Sequence, residues 1–326
     1  MSNTLLSIAI PTVNRKLFLE LTLNEFLPQI RRNFREVELV ISNNASEDDT
    51  DLYISNLIDQ HKFLKYYRSD ERLSLFESFS KVAEKASGKF IILWGDDDIP
   101  SPFFVETILE VLKKNDDVGL IHFNRLIGYN NGLDMRGLKI FKRTFRESVS
   151  IYDSLADFTE NHLYESTFMS TVVFQKEDWI RGLSYNTQSH YGFEFLGTIY
   201  FGMNGKKCIY LHYPLCIQRK PLSRTWSSDW PLYGLLGIPN MIIDFEQNGF
   251  YKNGYEIWYR TYNTLISYTY TLLCAAAHKE KYKILCKQIN RHQKSAFRKL
   301  LCYAIIYLVP RQTYSIIRNI QFKMKK

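Results

Sequence analysis

A four-residue apolar run, Ile91-Ile92-Leu93-Trp94, stops at Gly95 and gives way to Asp96-Asp97-Asp98-Ile99-Pro100. The run reads as a buried strand. Three adjacent carboxylates repel one another, and one strand-end turn does not bring a basic side chain to each. The expected counter-charge is therefore a hard divalent cation, Mg²⁺ or Mn²⁺, which prefers oxygen donors. Pro100 ends the strand and suits a helix start, with Ser101 as its cap. A strand, an acidic turn at its carboxyl end and a helix form the arrangement at which open α/β sheets bind ligands. The plainer alternative is a solvated acidic turn that caps the following helix.

The flanking sequence repeats this alternation. Strands are expected over 5–10, 37–42, 63–67, 90–93 and 118–123. Helices are expected over 16–30, from Glu47 onward, over 74–86 with Gly88 closing it, and over 103–114. Alternating β and α elements predict an α/β, Rossmann-like, mostly parallel sheet with flanking helices and right-handed crossovers. Three strand ends, at Pro11, Asn43 and Asp96, then line one edge of that sheet. With 326 residues, 45% of them hydrophobic, the chain can bury one large core or two smaller ones. Its five cysteines are odd in number and lack a CxxC pair, so neither a zinc site nor a disulfide framework is expected, and a reducing compartment fits.

The segments SIAIPTVNR, ELVISNNASEDDT and SGKFIILWGDDDIP, in this order, resemble the signatures of the family-2 nucleotide-sugar glycosyltransferases of GT-A fold. The resemblance covers about the first 125 residues. It implies inverting, metal-dependent transfer of a sugar from a nucleoside diphosphate sugar. Carried over residue by residue, Pro11, Thr12, Asn14 and Arg15 fall on the loop that contacts the nucleoside. Asn43 falls where the family has a base-facing aspartate, and an asparagine amide there could pair with cytosine. Asp96, Asp97 and Asp98 cover the metal-binding DXD region, with Asp98 the leading ligand. The chain departs from the family at Asn43, at Arg72-Leu73-Ser74 in place of Asn-Leu-Gly, and at Gly95 in place of the first acid. ISNNAS, the GDDD turn, STVVFQKEDW and a basic helical tail further resemble bacterial O-antigen and capsule sugar transferases of the abequosyltransferase-like group. Such a resemblance implies a polyprenyl-diphosphate-linked oligosaccharide acceptor and work at the inner face of the cytoplasmic membrane.

The second half is expected to hold a polar loop or hairpin over 130–146, a helix over 150–161, a strand over 167–175, a helix from Lys176, another over 195–203, and a strand pair over 206–218. Glu194 heads the helix over 195–203, where the family places its catalytic base, and His190 is a neighbouring candidate; Glu194 also reads as ordinary helix-dipole chemistry, and a lone His is more often structural. Arg219, Lys220 and Arg224 follow the strand pair and suit phosphate oxygens, or else form a solvated basic loop. The expected division is a nucleotide-sugar-binding half over 1–125, an acceptor-binding half over 126–230 and a helical basic region over 231–326. From Lys279 to Lys326 there are thirteen Lys or Arg and one acid, whereas the whole chain is only +8. Lys283, Lys287, Arg291, Lys294 and Arg298 share one helical face opposite an apolar one. This predicts an anionic membrane surface as partner, or a helix packed on the domain with its basic face in water. Nucleic acid is the less favoured partner, because the charges lie on one helix face and do not interleave with aromatics along a groove. No signal peptide and no bilayer-length apolar run is evident, which fits a cytoplasmic, peripherally bound protein. An inactive nucleotide-binding regulatory module of the same fold is the rival reading.

Overall fold

The computed structural model describes residues 4–128, 139–140, 148–163, 165–219, 233–250, 295–310 and 313. They divide into two compact units, residues 1–186 with 195–222, and residues 187–194 with 223–326.

The first unit is built on one sheet. β1 (Leu6–Thr12), β2 (Val37–Asn43), β3 (Leu64–Arg68) and β4 (Phe90–Leu93) are parallel neighbours in the order β3-β2-β1-β4. β2 and β4 are buried throughout and β1 nearly so, which is why they read as continuous aliphatic runs. α1 (Lys16–Arg32), α2 (Thr50–Ile58) and α3 (Leu75–Lys85) connect these strands. α1 buries Leu19, Leu23, Phe26 and Ile30, one stripe at helical spacing. Ser74 and Glu77 form a capping box at the start of α3. Gly88 lies beyond an extended cap at Ala86 and does not close α3. A Cβ on Gly88 would meet the Ser7 backbone nitrogen at 2.7 Å, so glycine there permits close approach to β1.

Beyond β4 the sheet is mixed. β5 (Ile99–Pro100) and α4 (Phe104–Lys114) lead into β6 (Leu120–Gly128), with β7 (Lys139–Ile140) antiparallel beside it. Where a helix was expected over 150–161, the chain forms β8 (Val149–Tyr152) and then α5 (Leu155–His162), capped by Ser154. The strand expected over 167–175 is two 3₁₀ turns followed by β9 (Val172–Gln175). β9 runs antiparallel between β4 and β6. α6 (Lys176–Gly182) and α7 (Glu194–Gly202) follow. The expected strand pair is one long strand, β10 (Cys208–Arg219), parallel to β6 and bulged around Pro214, which has no N–H for the ladder. Its carboxyl-terminal part pairs antiparallel with β5, Cys216 opposite Pro100 and Ile217 opposite Ile99. That pairing carries Arg219 to the acidic turn.

In the second unit, α8 (Ile238–Gln247) buries Met241, Ile242 and Phe245. The last described helix, α9 (Ala296–Leu308), is capped by Ser295. It buries Cys302, Ile305 and Ile306. Phe297, Leu300 and Leu308, expected on the inward apolar face, are exposed, while Arg298, expected on the outward basic face, is half-buried. The loop expected over 130–146 and the stripe from Lys283 to Lys294 lie largely or wholly outside the described residues, as do Lys220 and Arg224.

One buried charge ties the amino edge of the sheet together. Glu38 on β2 is 5% exposed. It accepts from Ser7 Oγ at 2.5 Å, from Ser87 N at 2.5 Å and from Ser87 Oγ at 2.7 Å. Lys65 Nζ lies at 2.6 Å. Burial alone would push the Glu38 carboxyl up, but Lys65 and the serines together hold it below its usual range. The stability Glu38 supplies is therefore present above the unfolded carboxyl pKa of ~4.3 and is lost as pH falls through the lower folded value. Glu38→Ala should cost about 1–3 kcal/mol in urea melts near neutral pH, and the difference from wild type should shrink in acid. A gap that stays constant with pH would show that charge is not what Glu38 contributes.

Candidate active site

The acidic turn is held rigidly from below. Trp94 is fully buried, edge-on to Phe26 and Phe104 with ring centroids 4.9 Å apart in each case. Its Nε1 donates to Asp98 O at 3.0 Å. Thr22, buried on α1, donates to Asp96 O at 3.0 Å and to Asp98 O at 2.9 Å. Ser170 Oγ donates to Asp98 Oδ2 at 2.6 Å and accepts from Gly95 N at 2.9 Å. A Cβ at position 95 would lie 2.8 Å from Asp98 Oδ2. The glycine that replaces the first acid of the expected pattern thus makes room for the Asp98 carboxylate.

Basic side chains do reach the turn, contrary to the expectation that a single strand end could not gather them. They arrive from other elements. Arg15 Nη1 lies 2.9 Å from Asp96 Oδ1 and 3.0 Å from Asp97 Oδ2. Thr12 Oγ1 donates to Asp96 Oδ2 at 2.7 Å. Burial pushes the Asp96 carboxyl up to about 6 against the pull of Arg15. Burial and the Asp97 charge hold Asp98 well above the usual carboxylate range. Arg219 is 4% exposed, and its guanidinium is lowered by burial and partly restored by Asp97 and Asp98. Its Nε and Nη1 are buried with no hydrogen-bond partner among the described residues. The positive charge of Arg125, on β6, pulls the Asp98 carboxyl down in part. Arg125 Nε donates to Gln218 Oε1 at 3.0 Å, and its guanidinium stacks 4.5 Å from the Phe168 ring centroid.

This arrangement fits a hard divalent cation at one place. Asp98 is 4% exposed and its Oδ2 accepts from Ser170, so Asp97 is the carboxylate of the three most open to a cation. The Asp97 side chain keeps 20% of its surface open, against 7% for Asp96. Among the described residues no three His, Cys, Asp or Glu groups form a ready-made cage. A cation would take Asp97, with Asp96 beside it, and draw its remaining ligands from water and phosphate oxygens, as Mg²⁺ and Mn²⁺ commonly do.

The β1 and β2 loops interlock. Asn14 N donates to Ser46 Oγ at 2.9 Å, and Glu47 N donates to Asn14 Oδ1 at 2.7 Å. Asn14 adopts φ 52°, a left-handed conformation that asparagine tolerates. Pro11 is the partly exposed penultimate residue of β1. Asn43 is fully buried. Its amide donates to Tyr66 Oη at 2.8 Å, and its Oδ1 accepts from Ser46 N at 2.9 Å. Tyr66 in turn donates to Asp51. The Asn43 amide is thus committed inside the protein and does not present the cytosine-pairing edge expected from sequence; it sets the shape of the loop.

In the second unit, His190 is also fully buried. Its Nε2 lies 2.8 Å from Asp244 Oδ2, which accepts from Ser189 Oγ at 3.0 Å. A wholly buried imidazole held by Asp244 on α8 is not presented to an incoming hydroxyl, which runs against the expected role of His190 as a base. Tyr191 and Gly192 then turn the chain through φ 38° and 85°. A Cβ on Gly192 would strike the Tyr233 ring at 2.6 Å. Glu194 follows this turn as the first, half-buried residue of α7.

Residues 7–174 match the family model for glycosyl transferase family 2. A stretch of 123 residues is 27% identical to the GalNAc(5)-diNAcBac-PP-undecaprenol beta-1,3-glucosyltransferase of Campylobacter jejuni, covering 37% of this chain and 38% of that protein. Another, of 95 residues, is 35% identical to the abequosyltransferase RfbV of Salmonella typhimurium, covering 29% of this chain and 28% of that one. The chain therefore spans well under half the length of either relative. In fold it resembles Staphylococcus aureus TarS 1–349 solved with UDP-GlcNAc, with a TM-score of 0.62 at 12% identity over 97% of this chain and 92% of that one. It also resembles the mannosyltransferase PcManGT of Pyrobaculum calidifontis solved with GDP-Man and Mn²⁺, with a TM-score of 0.55 at 14% identity over 98% and 87% of the two chains.

The turn geometry predicts a separation of roles. Ser170→Ala leaves the Asp98 carboxylate and the Gly95 N–H without their partner. It should lower stability by about 1–3 kcal/mol in denaturant melts. Asp97→Asn, at the open side of the same turn, should leave stability within about 0.5 kcal/mol of wild type. Equal losses for both would contradict the assignment of Asp98 as anchor and Asp97 as the outward group.

Proposed function

Because the chain belongs to glycosyl transferase family 2, we propose that it moves a hexosyl or deoxyhexosyl group from a nucleoside diphosphate sugar to a hydroxyl of a lipid-linked glycan in bacterial surface-polysaccharide synthesis. The observation that carries the reading is Arg219, a buried guanidinium with open donors beside a three-carboxylate turn at the sheet's carboxyl edge. A buried cation with unmatched N–H groups suits a diphosphate, whose oxygens can take both donors. The printed names of similar proteins support the kind of donor, metal and acceptor: UDP-GlcNAc with TarS, GDP-Man and Mn²⁺ with PcManGT, and a PP-undecaprenol glycan in the Campylobacter enzyme's name. Among the described residues no helix is long and apolar enough to cross a membrane. A lipid-linked acceptor would then be met at the inner face of the cytoplasmic membrane by a peripherally attached enzyme.

The residues divide the work as follows. The interlocked β1 and β2 loops, with Pro11, Thr12, Asn14 and Arg15, form the rim for the nucleoside. Arg219 holds the diphosphate and stabilises the charge that builds on it as the sugar leaves. Lys220 and Arg224 follow it in sequence and would add charge to the same group. Asp97 and Asp96 would hold Mg²⁺ or Mn²⁺, which when bound would supply Lewis-acid stabilisation of the same leaving group. Glu194 takes the proton of the acceptor hydroxyl as its oxygen attacks the anomeric carbon from the face opposite the diphosphate, which inverts the centre.

Thermal shift with UDP, CDP, GDP and dTDP, each with Mn²⁺ or Mg²⁺, should find one diphosphate that raises the melting temperature only with metal. Arg219→Ala should weaken that nucleotide by about 10–100-fold, as loss of hydrogen bonds to a charged group implies. No response to any nucleotide or nucleotide sugar with either metal would overturn the donor reading. For the base, Glu194→Gln should lower kcat by about 10²–10⁴-fold with donor affinity nearly unchanged. Turnover within a few-fold of wild type would remove Glu194 from the chemistry.

A further inference from the structure

We propose that the outward face of α9 is a membrane-insertion face that seats the protein in the plane of an anionic lipid surface. The residues are Phe297, Leu300, Tyr303, Tyr307 and Leu308, exposed by 63%, 68%, 42%, 45% and 77%. Their spacing puts them on one side of the helix, opposite the buried Cys302, Ile305 and Ile306. A contiguous aromatic and aliphatic stripe turned outward on a helix marks an interaction surface.

The charge of the sequence on either side of α9 selects the partner. Lys299 is exposed at the helix start, and residues 311–326 carry Arg311, Arg318, Lys323, Lys325 and Lys326 with no acid. From Lys279 onward the sequence is +12, against −4 for everything before it. A second copy of this chain would bring two such segments together, and their like charge opposes that pairing. Nucleic acid would answer the charge but gives little to Leu300 and Leu308, the two most exposed apolar side chains of the stripe. An anionic bilayer answers both: its headgroups meet the Lys and Arg, and its acyl boundary takes Phe297, Leu300 and Leu308. Tyr303 and Tyr307 suit the headgroup level, where an apolar ring and a polar hydroxyl are both satisfied. Thirteen helical residues are too few to span a bilayer, so α9 lies along the surface. The inference rests on the lipid-linked acceptor only for its purpose; the exposed face and the charge stand without it.

The test is flotation of the full chain with vesicles of phosphatidylcholine alone or mixed with phosphatidylglycerol, with no donor or acceptor present. The protein should float with the anionic vesicles and far less with the neutral ones. The triple variant Phe297→Ser, Leu300→Ser, Leu308→Ser should bind at least about tenfold more weakly. Leu300→Trp, which keeps the face apolar, should bind more tightly, so the inference does not depend on a variant that removes side chains. Three results would overturn it. They are wild-type protein that stays with the soluble fraction, a triple variant that floats like wild type, or lipid-free wild type that is a dimer which the triple variant dissolves. Flotation by a chain that binds no nucleotide sugar keeps this inference and removes the functional reading. Sugar transfer by a chain that does not float does the reverse.

Discussion

Two carboxylates, Asp96 and Asp98, are buried at the end of β4, and the rest of the site is arranged to make that tolerable. A carboxylate out of water needs hydrogen bonds and opposite charge, or it takes up a proton. Here Thr12 and Arg15 come from β1 and the loop after it, Ser170 from the 3₁₀ turn before β9, Arg125 from β6 and Arg219 from the end of β10. Thr22 and Trp94 fix the backbone of the turn itself. The sheet order follows the same need: antiparallel pairing of β5 with β10 brings Arg219 beside residues more than a hundred positions earlier in the chain. What remains after this balance is Asp97 and the Arg219 donors that have no partner among the described residues, a carboxylate and a guanidinium with capacity left for a ligand.

The first half of the chain is legible because its signals are local. A buried parallel strand is a short aliphatic run, an amphipathic helix repeats at three and four, and the turn between them is marked by Gly, Pro or Asp. The four parallel strands, and the acidic turn with Arg15 after β1, follow from those signals. Beyond β6 the elements are too short for periodicity to separate strand from helix, as at Val149–Tyr152. Counter-charges are least legible of all, because they come from strand register and not from neighbours in sequence. Arg125 did leave one trace: a cation inside the largely apolar run Leu120 to Gly128, which also holds His122 and Asn124. A charge in such a strand is buried only with a partner. Ser170 and Thr22 left none.

Two assignments by analogy of position changed when side-chain surroundings were known. Asn43 occupies a place associated with base recognition, yet its amide serves Tyr66 and Ser46. His190 stands beside the candidate base, yet Asp244 and complete burial turn it inward. In both cases the sequence could not say which way the residue faced. The same limit applied to α9, where the spacing identified an amphipathic helix but not which side is covered.

The central claim is that a nucleoside diphosphate and a divalent cation meet at the Asp97–Arg219 edge. Crystals of the protein grown with Mn²⁺ and the nucleotide that stabilises it most, with data collected at the manganese absorption edge, test this directly. The account predicts an anomalous peak between an Asp97 carboxylate oxygen and the diphosphate, with diphosphate oxygens on Arg219 Nε and Nη1. A manganese ion away from the turn, or a diphosphate that leaves Arg219 untouched, would contradict it.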